Sequence, residues 1–297
     1  MTTSTRRTTI LLLARRVDAS YRSIAAHLAG DIGITVHELD EIAGTSADFD
    51  PATTVIMTIG GDGTFLVGAR WASRLGVPVF GINTGRLGFL AELDPHDLQY
   101  AIEAIYNGDY EEVHRPLIIT VLRTANEEAV WMHTSLNDVV LRTQEIAVAH
   151  FDLSVNDEPC AEIDGDGLII ATPTGSTAYA MSAGGPIIVP DLPCMLLVPL
   201  APHALMPRSL VIGPASVVHV TVHGGAVLAA ADATHTWHVE DGSTLQAHLD
   251  GTVTSLHFLS SPSFMTRLHD TMLFGAPLRI RDVSRHHRSS HRVSERT

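Results

Sequence analysis

The arrangement of apolar runs changes near residue 117, and this change limits the folds open to the chain. Before it, strand-like runs such as Val55–Ile59 and Val77–Ile82 alternate with helix-like segments such as Thr64–Leu75. Such alternation is typical of a parallel sheet covered by helices. After it, short β-rich runs follow one another with turns between them, which is typical of a sandwich. The sequence therefore predicts an N-terminal α/β domain with a mostly parallel sheet and a C-terminal antiparallel β-sandwich domain.

The length of 297 residues is sufficient for two such domains. We expect the α/β domain over residues 1–115 and the β-sandwich domain over residues 116–262. A helix within residues 263–280 should return to the first domain. Residues 281–297 are polar and rich in arginine and histidine, so we expect a disordered basic tail.

Within the second domain, the pattern predicts separate strands at Thr244–Leu249 and Val253–Leu259. It also predicts a strand at Leu136–Leu141 and one short helix at Thr177–Ala183. These elements place the polar motifs discussed below at the ends of strands or at the start of a helix.

Composition narrows the possible functions. The formal net charge of −14 disfavours nucleic acid as a partner. All 19 basic residues are arginines, and without lysine a Walker-type phosphate loop, a protein kinase and Schiff-base chemistry are excluded. Phosphates would have to be bound by backbone N–H groups, helix N-termini, metal ions and arginine. No apolar run is long enough to span a bilayer and no signal peptide is recognisable, so we expect a cytoplasmic protein.

The strongest local motif is the glycine loop Gly60–Thr64, between a strand-like run and a helix-like segment. Its glycines allow the backbone to approach a ligand, and the helix start offers free N–H groups to an anion. Asp62 within the loop would repel phosphates, so it either binds a metal or accepts a proton from a hydroxyl that attacks a phosphate. The alternative is that Asp62 or Thr64 only caps the helix.

A second polar segment, Gly81–Leu90, follows the next strand of the predicted parallel sheet. The carboxyl ends of parallel strands meet at one edge, so this segment should lie near the glycine loop. Arg86 could pair with a phosphate, and Phe89 could stack on a base. The segment could also be a structural turn with Phe89 in the core.

Two further motifs carry groups that could bind a sugar. In Asp166–Tyr179, a strand ends in a turn rich in threonine, serine and glycine, and a short helix follows. The hydroxyl and N–H groups of this turn could bind a ribose or a phosphate, but the pattern is also that of an ordinary capped turn. Asn137 and Asp138 form the other motif. The amide of Asn137 could bind a ribose hydroxyl or an adenine edge, although taken alone the pair indicates a turn.

Four motifs occur in an order found in one enzyme family: Gly60–Thr64, Gly81–Leu90, Leu136–Val140 and Asp166–Tyr179. They closely resemble the NAD kinase family, and the similarity runs from Val55 to about Phe264. The glycine loop is shared with lipid kinases of the diacylglycerol type, whereas the last motif is more specific to NAD kinases. The resemblance implies a site between the two domains, a homo-oligomer such as a dimer or tetramer, and Mg²⁺ held mainly through the nucleotide.

The resemblance also implies an activity and residue roles. The terminal phosphoryl group of ATP, or of polyphosphate, would move to the 2′-hydroxyl of the adenosine ribose of NAD to give NADP, with Asp62 as the proton acceptor. The implied NAD-binding residues are Asp62, Gly63, Phe89, Asn137, Asp138, His150, Asp164, Asp166, Thr174, Thr177, Ala178, Tyr179, Ser182 and Ala201. The implied phosphate-binding residues are Gly60, Gly61, Gly63, Thr64 and Arg86.

The sequence departs from the family pattern in places, Asp164 and Val67 among them. Asp138 stands where glutamate is usual, and Ala233 stands where glycine usually follows the late aspartate Asp232. These departures leave a catalytically silent NAD(P)-binding regulator as one alternative to an active NAD kinase, and the shared glycine loop leaves a lipid kinase as the other.

Overall fold

The computed structural model describes residues 6–14, 19–85, 88–126, 128–144, 148–203, 208–224 and 226–272. The described residues form a ten-stranded sheet and a six-stranded sheet. In this part of the chain, five α-helices accompany the sheets: α1 Ala19–Asp31, α2 Asp62–Leu75, α3 Leu98–Asn107, α4 Tyr179–Ser182 and α5 Phe264–Met272.

The N-terminal part is a parallel sheet with helices on both faces. Its strands are β1 Thr9–Ala14, β2 Thr35–Glu38, β3 Thr54–Ile59 and β4 Val79–Ile82. They lie in the order β2-β1-β3-β4. Side chains of β1 alternate between the faces, so Ile10 and Leu12 join the core with α1 and α3, whereas Leu11 and Leu13 join the core with α2. Burial on both faces accounts for the continuous apolar runs in the sequence.

The rest of the chain is dominated by antiparallel strands. They are β5 Glu111–Arg123, β6 Ala129–Ser135, β7 Asp138–Thr143, β8 Ala149–Val155, β9 Glu158–Gly165, β10 Gly167–Ala171, β11 Met195–Leu200, β12 Leu210–Ile212, β13 Val217–His223, β14 Val227–Ala231, β15 His235–Val239 and β16 Thr244–His257. The six-stranded sheet has the order β12-β11-β10-β7-β14-β15. It shares one core with the larger sheet, in which Leu168 and Met195 meet Phe151 and Val220. The predicted fold class is confirmed.

Strand β16 connects the parallel and antiparallel parts. Ser255 pairs with Val79 of β4 in parallel, and the first half of β16 pairs with β13 and β5 in antiparallel fashion. The larger sheet is therefore continuous from β2 to β9. The prediction of two strands, Thr244–Leu249 and Val253–Leu259, is wrong, because a register shift between Leu249 and Thr252 lets one strand continue through the polar residues.

Several smaller predictions also need correction. The strand predicted at Leu136–Leu141 begins only at Asp138, and the predicted helix is the single turn α4 after a 3₁₀ turn at Thr174–Thr177. Strands β9, β12, β14 and β15 were not predicted. Strand β14 contains three alanines, which have low β propensity, and β9 is an exposed edge strand. Strand β5 crosses residue 115, and the domain boundaries stay a prediction; the tail 281–297 lies outside the described residues.

Candidate active site

Asp62 is the first residue of α2, and its carboxylate binds the polar segment that follows β4. Oδ2 accepts a hydrogen bond from the N–H of Phe89 at 2.9 Å. Oδ1 accepts hydrogen bonds from the N–H groups of Leu90 at 3.1 Å and Ala91 at 3.0 Å. A Cβ on Gly88 would collide with this carboxylate, so the close approach requires glycine there. The structure thus brings the first two sequence motifs together at the carboxyl edge of the parallel sheet.

The glycine loop itself is fixed to the neighbouring strand. The N–H of Gly60 donates to the carbonyl oxygen of Ile82 at 2.9 Å. Gly60 has φ +150°, and a Cβ there would overlap the side chain of Thr64. Helix α2 begins directly after Gly61, two residues before the predicted start. The first N–H groups of a helix have no partner inside the helix, so this end of α2 is suited to bind an anion.

A cavity of about 550 Å³ lies between α2 and the six-stranded sheet. It is lined by Leu66 of α2 and by four residues that the sequence predicts, Asn137, Asp138, Ala178 and Tyr179. The other lining residues are Val140, Arg142, Thr143, Gln144, Leu228, Ala230, Asp232 and Ala233. Leu66 follows Asp62 by one helical turn, about 6 Å along the axis, so Asp62 lies close to one wall of the cavity.

Asp232 holds the turn that precedes β7. Its carboxylate accepts hydrogen bonds from the N–H groups of Leu136 at 2.9 Å, Asn137 at 2.8 Å and Asp138 at 3.2 Å. Burial raises the pKa of Asp232, while these three bonds and the positive charge of Arg70 lower it. Asp232 thereby fixes the backbone from which the side chains of Asn137 and Asp138 project.

Asp138 is a buried carboxyl group at the wall of the cavity. The pKa of Asp138 is raised to about 7, mainly by burial and secondly by the negative charge of Asp232. Near neutral pH this group therefore exists in both protonated and charged forms. In the protonated form it can donate a hydrogen bond, which a carboxylate cannot do.

The threonine-rich turn after β10 packs directly on the Asn137 turn. The hydroxyl of Thr172 donates to the carbonyl oxygen of Leu136 at 2.6 Å, and the N–H of Thr172 donates to that of Asn137 at 2.9 Å. A Cβ on Gly175 would overlap the Asn137 carbonyl, so only glycine permits this contact. The third and fourth motifs are therefore neighbours in space, although about thirty residues separate them in the chain.

Comparisons with known proteins identify the family of the chain. Models of the N-terminal and C-terminal domains of ATP-NAD kinase match residues 4–110 and 136–248. The chain belongs to the NAD kinase family. NAD kinase 2 of Synechocystis sp. is 42% identical over 168 residues, which cover 56% of this chain and 55% of that protein. NAD kinase 2 of Gloeobacter violaceus is 34% identical over 233 residues, covering 77% of this chain and 75% of that protein.

The match to the Synechocystis NAD kinase spans little more than half of that relative's length. The crystal structure of yeast NADH kinase complexed with NADH superposes with a TM-score of 0.79 at 19% identity, covering 93% of this chain and 90% of that chain. At this identity the superposition supports the fold alone. No helix among the described residues has the length and apolar character needed to cross a membrane.

Other residues expected from the NAD kinase pattern do not line the 550 Å³ cavity. They are Asp62, Gly63, Phe89, His150, Asp164, Asp166, Thr174, Thr177, Ser182 and Ala201. Nδ1 of His150 lies 2.8 Å from Oδ1 of Asp164, and Nε2 of His150 lies 2.9 Å from Oδ1 of Asp152. The hydrogen bond to Asp164 contributes most to raising the pKa of His150. The roles of these residues stay predictions. Arg86 lies outside the described residues.

The sequence reasoning did not identify Leu228, Ala230 and Arg142 as lining residues. Leu228 and Ala230 come from β14, a strand whose alanines gave no β signal. Arg142 lies on β7 next to the predicted motif and could have been found by extending that strand.

Proposed function

We propose that this chain is an NAD kinase that transfers the terminal phosphoryl group of ATP to the 2′-hydroxyl of the adenosine ribose of NAD. The observation that carries the proposal is the setting of Asp62. Each carboxylate oxygen can accept two hydrogen bonds. Among the described residues, Oδ1 accepts from Leu90 and Ala91, whereas Oδ2 accepts only from Phe89. One acceptor position of Oδ2 is therefore left for a substrate hydroxyl.

The reaction follows from this position. The 2′-oxygen attacks the terminal phosphorus, and a new O–P bond forms while the bond to the ADP oxygen breaks. The hydroxyl proton passes to Oδ2 of Asp62 and then to solvent. Assistance by a general base is typically worth about 10²–10⁴-fold in rate. Positioning and neutralisation of the phosphate charge supply most of the rest in phosphoryl transfer.

The chain must neutralise this charge without lysine. The glycine loop and the start of α2 provide backbone N–H groups for the transferred phosphate. Among the described residues, no three His, Cys, Asp or Glu side chains are grouped to hold a metal ion. We propose that Mg²⁺ enters with the phosphates of ATP and neutralises part of their charge there, because Mg²⁺ is usually bound through substrate phosphates in such sites.

The 550 Å³ cavity is the proposed place for the adenosine half of NAD. Tyr179 offers an aromatic surface at its wall, and Asn137 offers an amide that can both donate and accept. The opposite wall is α2, which carries Asp62 one turn away from Leu66. We propose that the ribose of the bound nucleotide extends along α2 from this cavity toward the carboxylate.

The resemblance further leads us to propose a cytoplasmic location and a homo-oligomer, with the site between an α/β domain and a β-sandwich domain. Polyphosphate stays an alternative donor. Light scattering of the purified protein would measure the oligomeric state directly.

The test is to incubate the protein with NAD and ATP, with and without Mg²⁺, and to measure NADP with an NADP-specific dehydrogenase. Parallel reactions replace NAD by NADH or diacylglycerol, and ATP by polyphosphate. We expect Mg²⁺-dependent NADP formation and no phosphorylated lipid. Phosphorylation of diacylglycerol alone, or tight NAD binding without NADP, would contradict the proposal.

A further inference from the structure

A buried carboxylate directly follows the segment that binds Asp62. Glu92 comes after the three N–H donors, and its side chain is 7% exposed. Its Oε1 atom contacts Nη1 of Arg267 at 2.7 Å, Nε2 of His257 at 3.1 Å and Nη2 of Arg115 at 3.3 Å. We call Glu92, Arg115, His257 and Arg267 the Glu92 cluster.

The cluster joins distant parts of the chain. Arg115 lies on β5, His257 ends β16, and Arg267 lies on α5. The side chains of Arg115 and Arg267 are only 4% and 2% exposed. Taking charged groups out of water is costly, and replacing a buried ion pair by apolar residues of similar volume is often neutral or stabilising. Stability alone is therefore a poor explanation for two buried arginines on one carboxylate.

Helix α5 contacts the segment after β4 at two points. The ring of Phe264 lies 6.2 Å from the ring of Phe89, measured between centroids. One turn later, Arg267 binds Glu92 and also donates to the carbonyl oxygen of Pro262 at 2.9 Å. Residues three apart on a helix share one face, so the same face of α5 holds both ends of the segment.

The charge of Asp62 also acts on the cluster. Burial lowers the pKa of Arg115, and the negative charges of Glu92, Asp191 and Asp62 raise it and so offset part of this effect. Two arginines face one glutamate in the cluster, so the charge of Asp62 helps to balance the excess positive charge.

We propose that Arg267 is a positioning residue for Asp62, acting through Glu92 and the segment 89–92. Arg267 fixes Glu92, and the backbone N–H groups just before Glu92 orient the Asp62 carboxylate. Loss of Arg267 lets this segment shift, which moves the proton acceptor away from the ribose hydroxyl. This inference rests on the proposed role of Asp62.

The test compares Arg267→Met and Arg267→Lys with a matched control, Arg7→Met. Arg7 is also buried and ion-paired, to Glu112 at 2.8 Å, but it precedes β1 and so lies at the opposite edge of the parallel sheet. We expect Arg267→Met to lower kcat by about 10–100-fold, because small misplacements of reacting groups are costly. The KM for NAD should change much less, and Arg267→Lys should recover part of the rate.

Glu92→Gln is the second variant, because it keeps the shape of the side chain and removes its charge. It should also lower kcat more than it raises the KM for NAD. Arg7→Met should lose thermal stability and keep its kcat when assayed below its melting temperature. If Arg267→Met and Arg7→Met lose stability equally and both keep kcat, the positioning role is wrong.

Amide hydrogen exchange gives a readout that does not depend on turnover. We expect faster exchange at Leu90 and Ala91 in Arg267→Met and unchanged exchange there in Arg7→Met. Unchanged exchange in both variants would overturn the inference. If exchange is faster in Arg267→Met but the wild-type protein makes no NADP, the positioning of Asp62 is supported and the proposed function is overturned.

Discussion

The carboxyl groups of Asp138 and Asp232 repel each other where Asp232 binds the start of β7, and this repulsion adds to burial in raising the pKa of Asp138 to about 7. Asp232 uses its charge to bind three backbone N–H groups there. The negative charge of Asp232 disfavours the ionised form of Asp138. It faces the cavity where we place the adenosine half of NAD.

This relationship predicts a pH dependence of stability. Folded Asp138 keeps its proton up to about pH 7, whereas in the unfolded chain it loses it near 3.8. The folded state therefore binds more protons between these values, and its stability falls as the pH rises through them. At about 1.4 kcal/mol per pKa unit, Asp138→Asn should gain up to about 4 kcal/mol relative to wild type between pH 4 and 8.

Thermal melting of both proteins at pH 4, 6 and 8 would measure this gain. Glu158→Gln, at an exposed carboxyl group of the edge strand β9, is the control and should show no such trend. A constant difference between Asp138→Asn and wild type at all three pH values would show that Asp138 titrates normally.

The turn between β14 and β15 predicts a stabilising substitution. Ala233 has φ +55°, a left-handed conformation that costs a residue with a Cβ roughly 1–2 kcal/mol. Ala233→Gly should raise the free energy of unfolding by about 0.5–1 kcal/mol, less than the full strain because glycine also gains entropy when unfolded.

Chemical denaturation would measure the effect of Ala233→Gly. The control is Ala230→Gly, inside β14, which should destabilise the protein because glycine weakens a strand interior. A loss of stability in Ala233→Gly comparable with that in Ala230→Gly would argue against strain in the turn.

The role of Asp62 is tested by Asp62→Asn. An amide cannot accept the ribose proton, so kcat should fall by at least about 100-fold. The amide also supplies one acceptor oxygen where the carboxylate supplies two, so some hydrogen bonds from residues 89–91 should weaken. Calorimetric titration should nevertheless detect NAD binding within a few-fold of wild type, since the adenosine cavity is unchanged.

Asp50→Asn is a matched control for Asp62→Asn, because Asp50 also accepts a backbone hydrogen bond, from Ala52 at 3.0 Å, but caps a 3₁₀ turn before β3. It should keep full activity. Near-normal turnover in Asp62→Asn would remove Asp62 from the role of proton acceptor.

We expect substitution of Gly175 by alanine to weaken NAD binding. The Cβ of Gly175→Ala would overlap the carbonyl group of Asn137 and push the two turns apart. Overpacking of this kind costs about 1–3 kcal/mol, and the KM for NAD should rise because Asn137 moves at the cavity wall.

Steady-state kinetics with varied NAD would show this rise. Gly30→Ala in α1 is the control, since its Cβ would meet open space and alanine favours a helix by about 1 kcal/mol. An unchanged KM in Gly175→Ala would mean that the contact between the two turns has no part in binding.

The fold could be predicted from the sequence where burial leaves a strong pattern. Strands such as β3, buried on both faces, show continuous apolar runs, and the glycine loop marks the start of α2. Strand β14 was missed because alanine gives little β signal, and β16 was divided because Asp250 and Gly251 resemble a turn. In both cases the neighbouring strands, rather than local propensity, determine the structure.

The site was predictable to the extent that its residues carry polar groups. Asn137, Asp138 and Tyr179 were identified from their motifs and do line one cavity. The bonds from Asp232 to the Asn137 turn could not be inferred, because they join residues 94 to 96 positions apart. The Glu92 cluster could not be inferred either, since ion pairs between β5, β16 and α5 depend on tertiary packing.

The pairing of β16 with both β4 and β13 has a consequence for dissecting the molecule. A fragment ending at residue 115 would lack β16 and leave the edge of β4 uncovered, and it would cut β5 in mid-strand. Exposed strand edges of this kind promote aggregation. Expression of either half alone should therefore give insoluble material, and the intact chain should unfold in one cooperative transition rather than half by half.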